Sequence, residues 1–384
     1  MGFVSLFMDT SSELIHSLLP VFLVSVLGAS MLSVGLIEGV AEATASITKV
    51  FSGTLSDYLG KRKLLTVIGY GVAAISKPLF PIAGSAGLVF AARFIDRIGK
   101  GIRGAPRDAL IGDIAPARIR GASYGLRQSL DTVGAFAGPL LAVAFMALLA
   151  DDIPAVFWVA TIPAFIAVAI LILGVKEPDS GPAERPIRSP IHLSGLRQVD
   201  AAYWWLVLIA AVLTLARFSE AFLILRAENV GLAIKFVPLV MVVMNVVYAL
   251  SAYSAGALSD RMDRRGVIAI GCAALIVADI VLASASGIWA VMAGVVFWGL
   301  HMGLTQGLLA AMVADTAPPD LRGTAFGVFN LVSGIAMLCA SLIAGLLWDW
   351  YGPAVTFLGG AGFTMVALIG LAIAARPHPP VSRH

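Results

Sequence analysis

Charge is what this chain has least of. Only 13% of its 384 residues are Asp, Glu, Lys or Arg, while 59% are hydrophobic. Ordinary soluble domains are about one quarter charged, so the shortage excludes a soluble globular protein and points to a polytopic membrane protein. Cysteine is nearly absent. Cys272 and Cys339 each lie inside an apolar run, which excludes a disulfide framework and a thiolate metal site. The net charge of +3 reflects topology and implies no nucleic-acid partner. No glycine-rich phosphate cradle is present, nor a polar domain to carry one. A nucleophile beside a base is approached only by Ser12 and His16, without an oxyanion-stabilising glycine motif. The sequence therefore reads as no enzyme, needing no cofactor. Met1 runs almost directly into an apolar segment containing Asp9, Glu13 and His16, too polar for a cleaved signal.

What is there in abundance is long apolar runs. Twelve are long enough to cross about 30 Å of hydrocarbon. They cover 3–27, 32–57, 64–83, 87–112, 122–149 and 154–175, then 203–225, 232–258, 267–285, 288–313, 324–347 and 354–375. The predicted organisation is a six-helix bundle over 1–175, a linker over 176–202, a second bundle over 203–375 and a tail over 376–384. The linker contains Pro178, Pro182, Pro186 and Pro190, as a connection between bundles should. Basic residues gather in the loops of one side, among them Lys61, Arg62, Lys63, Arg118 and Arg120, whereas the opposite loops hold Asp151, Asp152 and Asp349. The positive-inside rule then predicts both termini and the linker in the cytoplasm, with the chain multi-pass in a bacterial inner membrane.

The two halves repeat one another. Gly53-Thr54-Leu55-Ser56-Asp57, followed by Gly60, Lys61, Arg62 and Lys63, returns as Gly256-Ala257-Leu258-Ser259-Asp260, followed by Arg261, Arg264 and Arg265. Asp113, Pro116, Arg120, Gly121 and Gly125 return as Asp315, Pro318, Arg322, Gly323 and Gly327. A repeat of half a membrane chain predicts two pseudo-symmetric six-helix bundles, an all-α membrane fold.

The loop pattern Gly-x-Leu-Ser-Asp-x-x-Gly-Lys-Arg-Lys resembles the signature loop of the major facilitator superfamily. Arg93 with Gly99 and Gly101 resembles a second motif of that family. Gly134-x-x-x-Gly138-Pro139 resembles the motif of its antiporters, without the trailing glycine pair. The resemblance covers essentially the whole chain. It implies a transporter of a small solute that works by alternating access, with proton-coupled export preferred. It also implies that helices 1, 2, 4, 5, 7, 8, 10 and 11 line a cavity, while 3, 6, 9 and 12 are peripheral. The charges respect that division, and the peripheral spans hold only Lys77 and Asp279.

Each charge cluster is also one-sided. Asp9, Glu13 and His16 fall within roughly 60° of arc on span 1, and Glu38, Glu42 and Lys49 within roughly 40° on span 2. Arg93, Asp96, Arg97, Lys100, Arg103 and Arg107 occupy roughly a third of the circumference of span 4. Ionisable groups at this depth need a polar cavity or a partner. Glu13, near mid-depth, is the first candidate for taking a proton from one side and releasing it to the other. Asp9 and the repeat partner Glu220 join it. The alternative is a permanent ion pair, Glu13 with an arginine of span 4 and Glu220 with Arg217. Arg127, Asp131, Asn245, His301 and Gln306 complete the candidate cavity. The acids and bases of the N-half cavity spans balance in number, which favours a salt-bridge web, with anionic solute binding by the span 4 stripe as the alternative. A metal or metal chelate held by Asp9, Glu13 and His16 is a further alternative. Gly53, Asp57, Gly60, Lys61 and Arg62, with Gly256, Asp260 and Arg261, form the candidate gate. Gly134, Gly138 and Pro139 form a candidate hinge between the halves, and each molecule should work as a monomer.

Overall fold

The computed structural model describes residues 1–59, 61–176, 200–259, 263–317 and 321–374. Most of the linker, the tail, and the gate residues Gly60, Asp260 and Arg261 lie outside these, as does the side chain of Asp57. Every regular element among the described residues is helical. The first half comprises α1 (Gly2–His16), α2 (Leu19–Val21), a π-helical turn (Phe22–Val26), α3 (Met31–Leu59), α4 (Arg62–Ser76), α5 (Ala86–Ile114), α6 (Arg120–Leu148) and α7 (Ile153–Gly174). The second comprises α8 (Ala201–Ala216), α9 (Ala221–Asn229), α10 (Leu239–Ser259), α11 (Arg264–Ser284), α12 (Ile288–Thr316), α13 (Arg322–Tyr351) and α14 (Pro353–Ala374).

Local chemistry sets several boundaries. The Ser85 side chain accepts the Leu88 N–H to start α5, and Asp152 does the same for Ala155 at the start of α7. Both supply an acceptor to a helix end that lacks one. Two runs expected as continuous spans are broken. The first divides at Ser17–Leu18, where Pro20 in the opening turn of α2 brings no N–H to continue the ladder. The second divides at Arg217–Glu220, where the Ser219 hydroxyl accepts the Ala221 N–H at 3.2 Å.

Eight helices among the described residues are long and apolar enough to cross a membrane, α6 and α7 in the first half and the α8–α9 run with α10 to α14 in the second. The earlier ones differ for a physical reason. α1 and α4 are only 15 residues each, and α3 and α5 carry the charge stripes.

The halves touch along three seams: α3 on α13, α6 on α10, and α2 on α9. Glycine makes the first seam tight. A Cβ on Gly39 would lie 3.0 Å from the Leu338 Cα, and one on Gly345 would lie 2.8 Å from the Leu32 Cα. At one end of the molecule, the far end, Asp349 closes that seam by accepting the N–H groups of Met31 at 3.0 Å and Leu32 at 2.9 Å. Ser25 donates to Glu228 across the neighbouring seam. The opposite end carries the repeated loops. There Arg62 pairs with Asp113, and Arg264 with Asp315, each across 51 residues and each within its own half. The repeat read in the sequence is thus repeated in contacts.

Candidate functional site

The stripes of α1, α3 and α5 meet in a web of buried ion pairs. Arg93 donates to Glu38 at 2.8 Å, and Glu38 stands 3.4 Å from His16, whose other ring nitrogen is 3.4 Å from Glu13. Arg97 reaches Glu42 at 3.2 Å. Lys77 donates to Asp96 at 2.8 Å and to the Ser12 hydroxyl at 2.9 Å. Arg103 lies 3.4 Å from Asp9 and 4.5 Å over the Tyr70 ring. Arg127 pairs with Asp131, and Arg107 holds Asp108 at 3.1 Å and the Ser5 hydroxyl at 3.1 Å. Arg93, Asp96 and Arg97 are at most 3% exposed, so removing one partner would strand a charge.

Two adjoining cavities lie against this web. One, of about 320 Å³, is bounded by Asp9, Glu13, Lys49, Lys100, Asp131, Asn245 and Tyr248. The other, of about 400 Å³, lies between the halves, bounded by Glu13, His16, Glu38, Glu42, Arg97 and Lys100 on one wall and Arg217, Glu220, Asn245 and Gln306 on the other. The expected cavity residues are therefore largely brought together.

Several expectations need correction. His301 is fully buried, its Nδ1 3.0 Å from the Gly271 carbonyl, and Gln306 lines the cavity where His301 was expected. Arg93 and Asp96 are web members behind the wall. Among the described residues no arginine stands within ion-pair distance of Glu13; its partner is His16. Arg217 and Glu220, one turn apart, form no ion pair. The face of Gly134 and Gly138 packs on α1 within its own half rather than between the halves: a Cβ on Gly138 would meet the Thr10 carbonyl at 2.7 Å and the Glu13 Cβ at 2.9 Å. Those glycines bring α6 against the proton-coupling candidates, and Pro139 follows inside α6. Asp9 is taken by Arg103 rather than gathered with Glu13 and His16, and among the described residues no three His, Cys, Asp or Glu side chains cluster as metal ligands. Gly53 and Gly256 fall inside α3 and α10, and Lys61 precedes α4.

The sequence reading missed two features. Met241, Met244, Met302 and Met337 come from three helices to one wall of the larger cavity, and only the fold brings them together. The break at 217–220 contains neither Pro nor Gly, so no local signal marks it. The halves are also chemically unequal. Asp279 and Trp298 occupy the repeat positions of Lys77 and Asp96. Asp279 is buried with neither carboxylate oxygen hydrogen-bonded, and the Trp298 Nε1 likewise has no partner.

A family model described as Major Facilitator Superfamily matches residues 1–225 and 204–384. This chain belongs to that superfamily. Its members are transporters and not enzymes. An uncharacterized MFS-type transporter of Methanocaldococcus jannaschii is 32% identical to it over 96% of this chain and 92% of its own. The quinolone resistance protein NorA of Staphylococcus aureus is 25% identical over 88% of this transporter and 86% of its own chain. Among solved structures, the nucleoside transporter NupG superposes with a TM-score of 0.82 over 98% of both chains at 13% identity, which is likeness of fold. The transporter is a multi-pass membrane protein whose family carries small molecules.

Proposed function

We propose that the protein is a proton-coupled secondary transporter of twelve spans, in which two six-helix halves (1–175 and 203–375) rock about the cavity between them. The observation that carries this reading is a polar cavity between two repeat halves that Asp349 and the Ser25–Glu228 contact latch at the far end. With the termini and repeated loops in the cytoplasm of a bacterial cell, that state faces inward. Glu13 is the proton carrier. It touches both cavities and only His16 holds it, so its bond can be exchanged while the arginine pairs behind it stay fixed. Glu220, unpaired on the opposite wall, is a second carrier; Asp9, tied to Arg103, is a weaker one. The likeness to NorA and the Gly134–Pro139 pattern support export. The gate consists of the repeated loops with Asp57 and Asp260.

Proteoliposomes with an imposed pH gradient and an internal pH dye test this. Small organic anions, cations and neutral solutes are added in turn. A solute that dissipates the gradient through the wild type, and at least tenfold more slowly through Glu13→Gln, is the expected outcome. Undiminished proton flux in that variant would make Glu13 a structural residue.

A further inference from the structure

The larger cavity contains unpaired cations and a set of unused donors at the same place. Among the described residues lining the two cavities, Lys49, Lys100 and Arg217 make no ion pair, and Glu220 is the one acid without a partner; every other charge there is paired. Lys100 and Arg217 line the larger cavity and Lys49 the smaller, so in the larger one two cations and one acid lack an ion-pair partner. Water screens such charges in an open cavity, and an anion that enters beside the two cations takes the place of that water as the cavity closes.

The break between α8 and α9 supplies the donors. The backbone N–H groups of Phe218, Ser219 and Glu220 make no hydrogen bond, although Phe218 and Ser219 are only 3% and 6% exposed. Buried N–H groups are almost always paired. These three lie in the turn that leads into α9, just before a helix end whose dipole favours negative charge, and their residues line the cavity beside Arg217. From the opposite wall Lys100 reaches the same space. Next to this polar corner stands the methionine wall, with Phe218 and Tyr248. Thioether side chains adapt to apolar bodies of varied shape.

We propose that this corner is an anion site and that the transported solute is an organic anion. Its acidic group is held by Arg217, Lys100 and the N–H groups of the break before α9, and its apolar body lies against Met241, Met244, Met302 and Met337. That this anion is cargo rests on the transporter reading; the binding site rests on the geometry alone. Loading the site gives Lys100 and Arg217 the partner they lack.

Binding is measured on the purified full chain in detergent, without membrane or gradient, so a failed transport assay and a failed site remain distinguishable. The probes are benzoate and octanoate, with benzamide and benzylamine as neutral and cationic counterparts of benzoate, read by calorimetry. Both carboxylates are expected to bind, benzoate at least tenfold more tightly than benzamide, and benzylamine not at all. Arg217→Gln and Lys100→Gln should each weaken benzoate by at least tenfold, while Arg118→Gln, a charge change on an exposed turn, should not. Arg217→Lys keeps the charge but loses the two-pronged donor, and should bind with intermediate affinity; if the Gln variant does not fold, this one and the wild-type probe series decide. Carboxylates that fail to bind, an amide that binds equally, or charge-removing variants that bind like the wild type would overturn the proposal.

Discussion

At the scale of single residues, the web rests on buried pairs in which each charge needs its partner. Lys77 and Asp96 illustrate it, each almost fully buried and 2.8 Å apart. Removing one partner of such a pair typically costs about 3–5 kcal/mol, while replacing both by apolar groups is close to neutral. Lys77→Met should therefore lower the melting temperature in detergent markedly, and Lys77→Met combined with Asp96→Leu should recover most of the loss. A double variant no more stable than the single one would show that packing, not the charge, is what matters there. Residue faces were legible in the sequence, since helical periodicity puts side chains on one side. Partners were not: periodicity gives the direction of a side chain but not which tip it reaches. Hence the alternative that paired Glu13 with an arginine of span 4 gives way to His16, and the basic stripe of α5, read as a possible anion surface, is mostly consumed by Glu38, Glu42, Asp9 and Asp108.

At the scale of elements, the far-end seam depends on one carboxylate at the C-terminal end of α13 capping the N-terminus of α3. This capped seam stands at the end opposite the candidate gate. Asp349 is exposed, so its charge–dipole contact is worth about 1 kcal/mol. Asp349→Ala should raise the population open at the far end roughly fivefold. The readout is labelling by a membrane-impermeant thiol reagent of Leu338→Cys, placed against Gly39, with Cys272 and Cys339 replaced by Ser. Unchanged labelling would remove Asp349 from the latch. The expected spans 87–112 and 154–175 start one residue inside the helices that Ser85 and Asp152 cap. The break at 217–220 escaped because its cause is tertiary: no proline or glycine interrupts the run, and the helix is opened where Arg217 and Glu220 turn into the cavity.

At the scale of the whole molecule, the repeat foresaw more than any single motif. Arg62 with Asp113 and Arg264 with Asp315 reproduce in space the offset seen in the sequence. The repeat could not show how the halves had diverged. The first half spends most of its polarity on the web and leaves Lys49 and Lys100 over, while the second offers a lone Arg217, a lone Glu220 and a wall of methionines. That inequality suits a machine in which one half supplies most of the fixed electrostatic frame and both present unpaired groups to the cavity. The central claim is that the halves rock, so that one end closes as the other opens. Pulsed electron–electron distances test it directly, with spin labels at Ser30 and Trp350 across the far end and at Arg118 and Asp263 across the repeated-loop end, all four exposed. Adding a transported solute should shorten the Arg118–Asp263 distance and lengthen the Ser30–Trp350 distance in the same molecules. Distances that stay fixed, or that change in the same direction at both ends, would contradict the account.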